Sequence, residues 1–350
     1  MGDPRHYHRT IHMRVKIIKR SLKQRQVLLF PVISLLIMIL LPVSCLADAQ
    51  KIFKENNKAV VVIIAYDEVR EALSQRSHIA NYENTSEYWL NQGNAYFLAG
   101  MKRSARDAFN KAIEIKPDYI EAYFNRGLVY VDLADFQQAI KDFTRAIEIK
   151  PDFAEAYLSR GTAYYGSGNY QQAIREYNKA LELKPDFAGA YFNRGLAYGA
   201  LRDFQQAIKE YNKAIELKSD YMGAYFNRGM AYGALRDFQQ AIKDFTKAIE
   251  IKPDFAEAYT MRGTAYNHDS GDTQHAMKDY NKAIELKPDF ADAYYEKACL
   301  FAITNNTSEA CSLLKTAIKK GYSNWKNIRT DSDLDNIRNS TCYKEIIVGR

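Results

Sequence analysis

Seven positions spaced almost evenly along the chain include four primary amides. They are Asn91, Asn125, Ser159, Asn193, Asn227, Met261 and Glu296, thirty-four residues apart until the last step of thirty-five. A primary amide offers a donor and an acceptor together, chemistry that could hold a peptide bond or tie one helix to another. A second constellation is compact: His268, Asp269, Ser270, Gly271, Asp272 and His275 fall within eight residues. The two histidines and two aspartates have metal-ligand chemistry, and Ser270 beside Gly271 superficially mimics a nucleophile. A serine hydrolase needs a base and an orienting carboxylate converging on the serine. Here all the groups belong to one turn between periodic segments, so a solvated turn is expected. No glycine-rich phosphate loop, paired-cysteine motif or His-Glu-x-x-His occurs, and no motif calls for a cofactor or a metal.

These positions recur because the chain does. Trp89, Tyr123, Tyr157, Tyr191, Tyr225, Tyr259 and Tyr294 open successive repeats, and Gly93, Gly127, Gly161, Gly195, Gly229, Gly263 and Ala298 follow four residues later. Each repeat then carries two alanines, as at Ala207 and Ala214, and most close on a proline, with Ser219 in its place once. Apolar residues at three and four spacing in 188–200 and 204–217 predict two amphipathic helices per repeat. Gly195, Ala207 and Ala214 mark helix crossings, with Tyr191, Tyr198 and Tyr211 as the large partners. Pro185 is expected to end a helix. Asp118 with Glu121, and Asp152 with Glu155, read as capping boxes for the next one. Period and pattern resemble the tetratricopeptide repeat family. The resemblance implies an all-α fold, an α-solenoid of helix-turn-helix repeats in a right-handed superhelix. Its repeats are 86–119, 120–153, 154–187, 188–221, 222–255, 256–290 and a degenerate 291–324, with a terminal cap over 325–350. Repeats 188–221 and 222–255 are nearly identical, as after a duplication. The extra residue of 256–290 is expected to loosen the turn between its helices.

The same resemblance implies that the first helix of each repeat lines a concave groove, with Asn91, Asn125, Asn193 and Asn227 pointing inward. It is similar to the asparagine ladder of the O-linked sugar transferase superhelix, without the transferase domain. One residue earlier stand Phe124, Phe192 and Phe226, and three after the Asn come Leu128, Leu196 and Met230. An apolar groove with an amide row would suit an extended or helical peptide from a protein partner. Ties between neighbouring helices are the competing role for the asparagines. The basic residues of a carboxylate clamp are missing. Arg126, Arg160, Arg194, Arg228 and Arg262 are expected to pair with neighbouring acids rather than with a ligand.

The N-terminus is of another kind. Residues 1–26 hold eight Lys or Arg against one Asp, followed by an uncharged run from Val27 to Val43 and then SCLADAQ. Basic, apolar and small-residue regions in that order make 1–47 a secretory signal, cut after Ala47 or Ala49. Seventeen apolar residues also reach the lower edge of a membrane span. Uncleaved, this segment would be an anchor and the only membrane contact. Either way the repeats are exported, to the periplasm, the medium or the outer side of the inner membrane. The leader accounts for the whole net charge of +7, so the remainder is neutral. With no basic stripe left, nucleic acid is excluded as a partner.

Within 48–85, a linker or capping segment, the β-branched run Ala59–Tyr66 predicts a strand. Residues 51–75, KIFKENNKAVVVIIAYDEVREALSQ, resemble the opening of exported trypsin-like serine proteases, some of which carry tetratricopeptide repeats. The protease body and its catalytic motifs do not follow. Three readings of function result: a non-enzymatic binding scaffold, a regulatory relative of that protease, and a membrane-anchored assembly factor. Among the cysteines, Cys299 and Cys311 fall on the two helices of the last repeat; they read either as two small buried thiols at helix crossings or, in an oxidising compartment, as a disulfide.

Overall fold

The computed structural model describes residues 85–348. The expected signal or anchor over 1–47, and the strand and protease-like stretch within 48–84, lie outside the described residues. Every regular element among the described residues is helical. The helices are α1 (Ser86–Leu98), α2 (Lys102–Ile115), α3 (Ile120–Asp132), α4 (Phe136–Ile149), α5 (Ala154–Gly166), α6 (Tyr170–Leu183), α7 (Ala188–Ala200) and α8 (Phe204–Leu217). They continue with α9 (Met222–Ala234), α10 (Phe238–Ile251), α11 (Ala256–Ser270), α12 (Thr273–Leu286), α13 (Ala291–Ile303) and α14 (Thr307–Lys319). Two short helices, α15 (Trp325–Thr330) and α16 (Thr341–Val348), flank a 3-10 turn over Ser332–Ile337. This is the tandem helix-pair architecture of an α-solenoid. The chain divides into two units, Met1–Ser159 and Arg160–Arg350, with the boundary inside α5.

Each pair is joined at a crossing of glycine and an aromatic ring. A Cβ added at Gly127 would stand 2.6 Å from the Phe143 ring, and at Gly195 2.6 Å from Tyr211. Those separations are far inside van der Waals contact, so only glycine lets the helices approach this closely. The last repeat solves the same problem differently: Ala298 packs in one core with Leu314, an aliphatic chain where the others have a ring. The paired alanines of every second helix, from Ala105 and Ala112 to Ala310 and Ala317, are completely buried. One pair cannot cover its own apolar face, and the neighbour completes it. In the first unit Ala146 and Ile147 of α4 share a cluster with Ala156 of α5, and Phe124 and Phe153 pack against it.

Caps sit elsewhere than the sequence reading placed them. The residues before α3, α7, α9, α11 and α13 are Tyr119, Phe187, Tyr221, Phe255 and Phe290, and none makes a side-chain cap. The capping box expected at Asp118–Glu121 is therefore corrected, because Tyr119 stands at that cap and packs against the core. Capping serves the second helices instead. Asp135, Asn169, Asp203, Asp237, Asp272 and Asn306 each accept an N–H three residues on. Before each stands a residue with positive φ: Ala134 (57°), Gly168 (81°), Arg202 (63°), Arg236 (63°), Gly271 (64°) and Asn305 (60°). The extra residue of 256–290 does not loosen a turn. It lengthens α11 to 15 residues, and Gly271 closes the helix in the left-handed conformation.

Past the last repeat, Ile328, Leu334, Ile337, Tyr343 and Ile346 pack on Cys299, Cys311 and Leu314. Cys311 is bonded to Cys342, and Cys299 is a buried free thiol. The expected Cys299–Cys311 bond is corrected: α16 folds back on α14 and brings Cys342 to Cys311.

Candidate functional site

The asparagines of the first helices make two kinds of contact. Where the preceding repeat offers a polar side chain three residues past its own member of the row, the two bond. In the first unit Asn125 Nδ2 donates to Asn94 Oδ1 at 2.8 Å. In the second unit Asn193 Nδ2 donates to Thr162 Oγ1 at 3.3 Å. Glu296, at the same position of the last repeat, accepts from Thr264 Oγ1 at 3.1 Å. Where the preceding residue is Leu196, no such partner exists, and Asn227 Nδ2 turns back to the Gly223 carbonyl at 2.8 Å. Asn125 and Asn193 thus tie adjacent first helices, while Asn227 stays within its own. A primary amide has two donors and a carbonyl, so each keeps hydrogen-bonding capacity beyond the bond named. Asn91, Asn125, Asn193 and Asn227 are all only half-buried.

Between the amides lie Leu128 and Leu196, half-buried, and Met230, 42% exposed. The phenylalanines do other work. Phe124 packs between Phe143 of its own repeat, 5.7 Å away, and Phe153 of the next, 4.9 Å away. Phe192 does the same with Tyr211 and Tyr221, and Phe226 with Phe245 and Phe255. These half-buried rings are wedges between consecutive helix pairs.

The arginine series is fully committed, as its position between helices predicts. Arg126 clamps Asp142 through Nε and Nη2, both at 2.7 Å, while Nη1 reaches Asn110 of the preceding second helix. Arg228 repeats this on Asp244 and Asn212, and Arg262 on Asp279 and Thr246. Arg160 pairs with Glu176 and Arg194 with Glu210. Burial works to lower the Arg228 pKa, but the hydrogen bonds and charge of Asp244 prevail and hold it above its ordinary value. Burial in turn pushes Asp244 up against the pull of Arg228. A guanidinium does not give up its proton in proteins, so the pair is ionic at neutral pH. Neither partner is available to a ligand.

Other candidates dissolve on inspection. Asp272 caps α12, with its carboxylate 2.7 Å from His275 Nδ1; Asp269 accepts from Gln239; and His268 stacks on Phe238. Among the described residues no group of His, Cys, Asp and Glu is arranged to hold a metal. An open pocket of about 700 Å³ lies beside Tyr259, Arg262, Met277 and Asp279. Its lining includes the ion pairs Arg262–Asp279 and Lys282–Glu285 and none of the row asparagines. Among the described residues no helix is long and apolar enough to cross a membrane.

Comparison with known proteins places these helices in a family. The tetratricopeptide repeat model matches residues 120–153, 188–221 and 223–255. A second model, described as TPR repeat, matches 93–134, 163–201 and 267–302. A tetratricopeptide repeat protein from Parabacteroides merdae ATCC 43184 superposes with a TM-score of 0.57 at 19% identity, covering 73% of this chain and 99% of that one. Pseudomonas aeruginosa pilF gives 0.54 at 16% identity over 61% and 96%. MamA gives 0.44 at 30% identity over 46% and 94%. No curated protein matches the sequence. The first two likenesses are of fold alone, but the two repeat models together span more than half of the residues and fall on the helix pairs described above: the chain belongs to the tetratricopeptide repeat family.

Proposed function

We propose that this protein is an exported, non-enzymatic scaffold that binds a partner protein or peptide on the face of its first helices. The observation that carries the reading is the half-buried amides with unspent hydrogen-bonding capacity, Asn125 with Leu128 in the first unit and Asn193 and Asn227 with Leu196 and Met230 in the second. Amides supply backbone recognition and the aliphatic positions supply buried area, the combination an extended or helical segment needs. Export rests on the leader over 1–47, basic and then apolar. If that leader is retained, the scaffold is tethered to the membrane and acts as an assembly factor there. Mass analysis of the protein extracted from cells distinguishes cleavage after Ala47 or Ala49 from retention. The resemblance of 51–75 to an exported protease supports one further reading, a regulatory relative that competes for the protease's partners.

The test is crosslinking from the envelope fraction with wild type and with Asn125→Ala, Asn193→Ala and Asn227→Ala combined. Loss of a partner by the triple variant at unchanged helicity is the expected result. Equal capture by both would overturn the groove and move binding to another surface or to residues 48–84.

A further inference from the structure

The first helix of a repeat turns one face to the helix pair before it. In the first unit Ala122 and Val129 of α3 pack with Ala105, Phe109 and Ala112 of α2, and Arg126 Nη1 donates to Asn110, sixteen residues earlier. The same offset joins Arg194 to Asn178, Arg228 to Asn212, Arg262 to Thr246 and Lys297 to Asn281. Thirty-four residues before Ala122, Arg126 and Val129 stand Tyr88, Gln92 and Ala95 of α1. Among the described residues no helix pair precedes α1. With nothing before it, this face would be open to water.

It is closed instead. Tyr88 is 6% exposed and Gln92 5%. Gln92 Nε2 is the one buried side-chain polar atom among the described residues that has no hydrogen-bond partner. Its own second helix offers Ala108 where Arg126, thirty-four residues on, finds Asp142. A buried donor is costly to leave unpaired, so an acceptor for Gln92 has to come from outside the described residues.

The described chain begins at Thr85, at the edge of this face, and the residues just before it carry the pattern of a second helix. Asp67 stands thirty-four residues before Met101 and sixty-eight before the cap Asp135. Val69, Ala72, Leu73, Ile79 and Ala80 recur at helical spacing, with Ala72 and Ile79 in the register of Ile140 and Ile147. A helix over 68–81 would leave 82–85 as a connection of four residues, as between α2 and α3. Arg76 stands sixteen residues before Gln92, flanked by the acceptors Gln75 and Ser77. Glu55 falls where an aromatic opens each full repeat, and Glu71 and His78 fall where it carries alanines. The pattern is that of one helix in second-helix register, without a complete repeat around it.

We infer that residues 68–81 form a lone second helix that docks on the Tyr88–Gln92–Ala95 face of α1 and supplies the acceptor for Gln92. The array then begins with a half repeat, and the chain's own segment closes its N-terminal end in place of a second copy or a partner protein. This surface is separate from the amide row, so the two readings stand or fall independently. The later part of the protease-like stretch, 67–75, is thereby assigned to the repeat array.

Photo-crosslinking of the full chain in detergent tests the docking, with p-benzoylphenylalanine in place of Tyr88. The expected product is a link within one chain to residues 68–81, lost when Leu73→Glu is added. A covalent dimer would put a second copy on this face, and a link to any other part of the chain, or no link, would equally overturn the inference. Hydrogen exchange needs no unnatural residue. Leu73→Glu alone should speed exchange of the amides from Leu90 to Ala95 about ten-fold, with those of α9 and α10 as in wild type. Unchanged exchange in α1 would show that 68–81 does not cover it.

Discussion

At the scale of single residues, two contacts repeat along the chain and each exposes its own logic through the repeats that lack it. The glycine–ring crossing is one. Gly195→Ala puts a methyl 2.6 Å from the Tyr211 ring, and the expected cost is about 1–3 kcal/mol by overpacking. The last repeat, with Ala298 against Leu314, shows the compensation. Gly195→Ala combined with Tyr211→Leu should therefore be more stable than the two separate losses added together, by urea denaturation; strict additivity would mean the two sites are uncoupled. The arginine clamp is the other. Arg228→Met leaves Asp244 buried without its cation and is expected to cost about 3–5 kcal/mol, whereas Arg228→Met with Asp244→Leu should return most of it. The ends of the array lack the pair: Gln92 and Ala108 occupy its positions in the first repeat, Lys297 and Leu313 in the last. Glycine and arginine were legible in the sequence because each recurs in register. The partner acid was not named from sequence, since sixteen residues separate Arg126 from Asp142 and that offset acquires meaning only when two helices fold back on each other.

At the scale of helices, the repeats announced their number and their apolar faces, while the ends of the elements were misread. Asp-x-x-Glu is a generic helix-start pattern, and it pointed to Asp118 and Asp152. At Asp118 the competing residue was Tyr119, one place later, which packs against the core and stands at the cap without a side-chain bond. The true caps follow a left-handed residue that is glycine in only some repeats, so no single residue type flagged the position. Proline marks these ends without being required for them: α8 ends at Leu217 and α10 at Ile251, with Ser219 where the other has Pro253. A testable asymmetry remains at the start. Met101 precedes α2 with no side-chain cap, whereas its counterparts are Asp or Asn. Met101→Asp is expected to stabilise the first repeat by about 1 kcal/mol. Hydrogen exchange of the α2 amides measures this locally, and unchanged protection there would show that the cap is not what limits this helix.

At the scale of the whole molecule, the non-periodic ends decide what repetition cannot. Because α15, the 3-10 turn and α16 have no repeat register, nothing in the sequence indicated that Cys342 returns to Cys311. Burial of Glu296 on α13 links stability to pH, with a sign fixed by the direction of one shift. Glu296 is raised from its ordinary 4.5 to about 7 in the folded chain, chiefly by burial. Between those values the folded state holds a proton that the unfolded state has released, so stability falls as pH rises through the interval. The contribution is complete below about pH 4.5 and gone above about 7. Partial exposure of the side chain reduces its size to on the order of 2 kcal/mol. Glu296→Gln keeps an acceptor for Thr264 and removes the titration. The variant should match wild type near pH 5 and exceed it near pH 8.5, as read from the difference between their denaturation midpoints across pH. A difference that stays flat would show that Glu296 is ionised throughout and that its neighbours already screen it. The Thr264 hydroxyl would then donate to a charged carboxylate at every pH in the series.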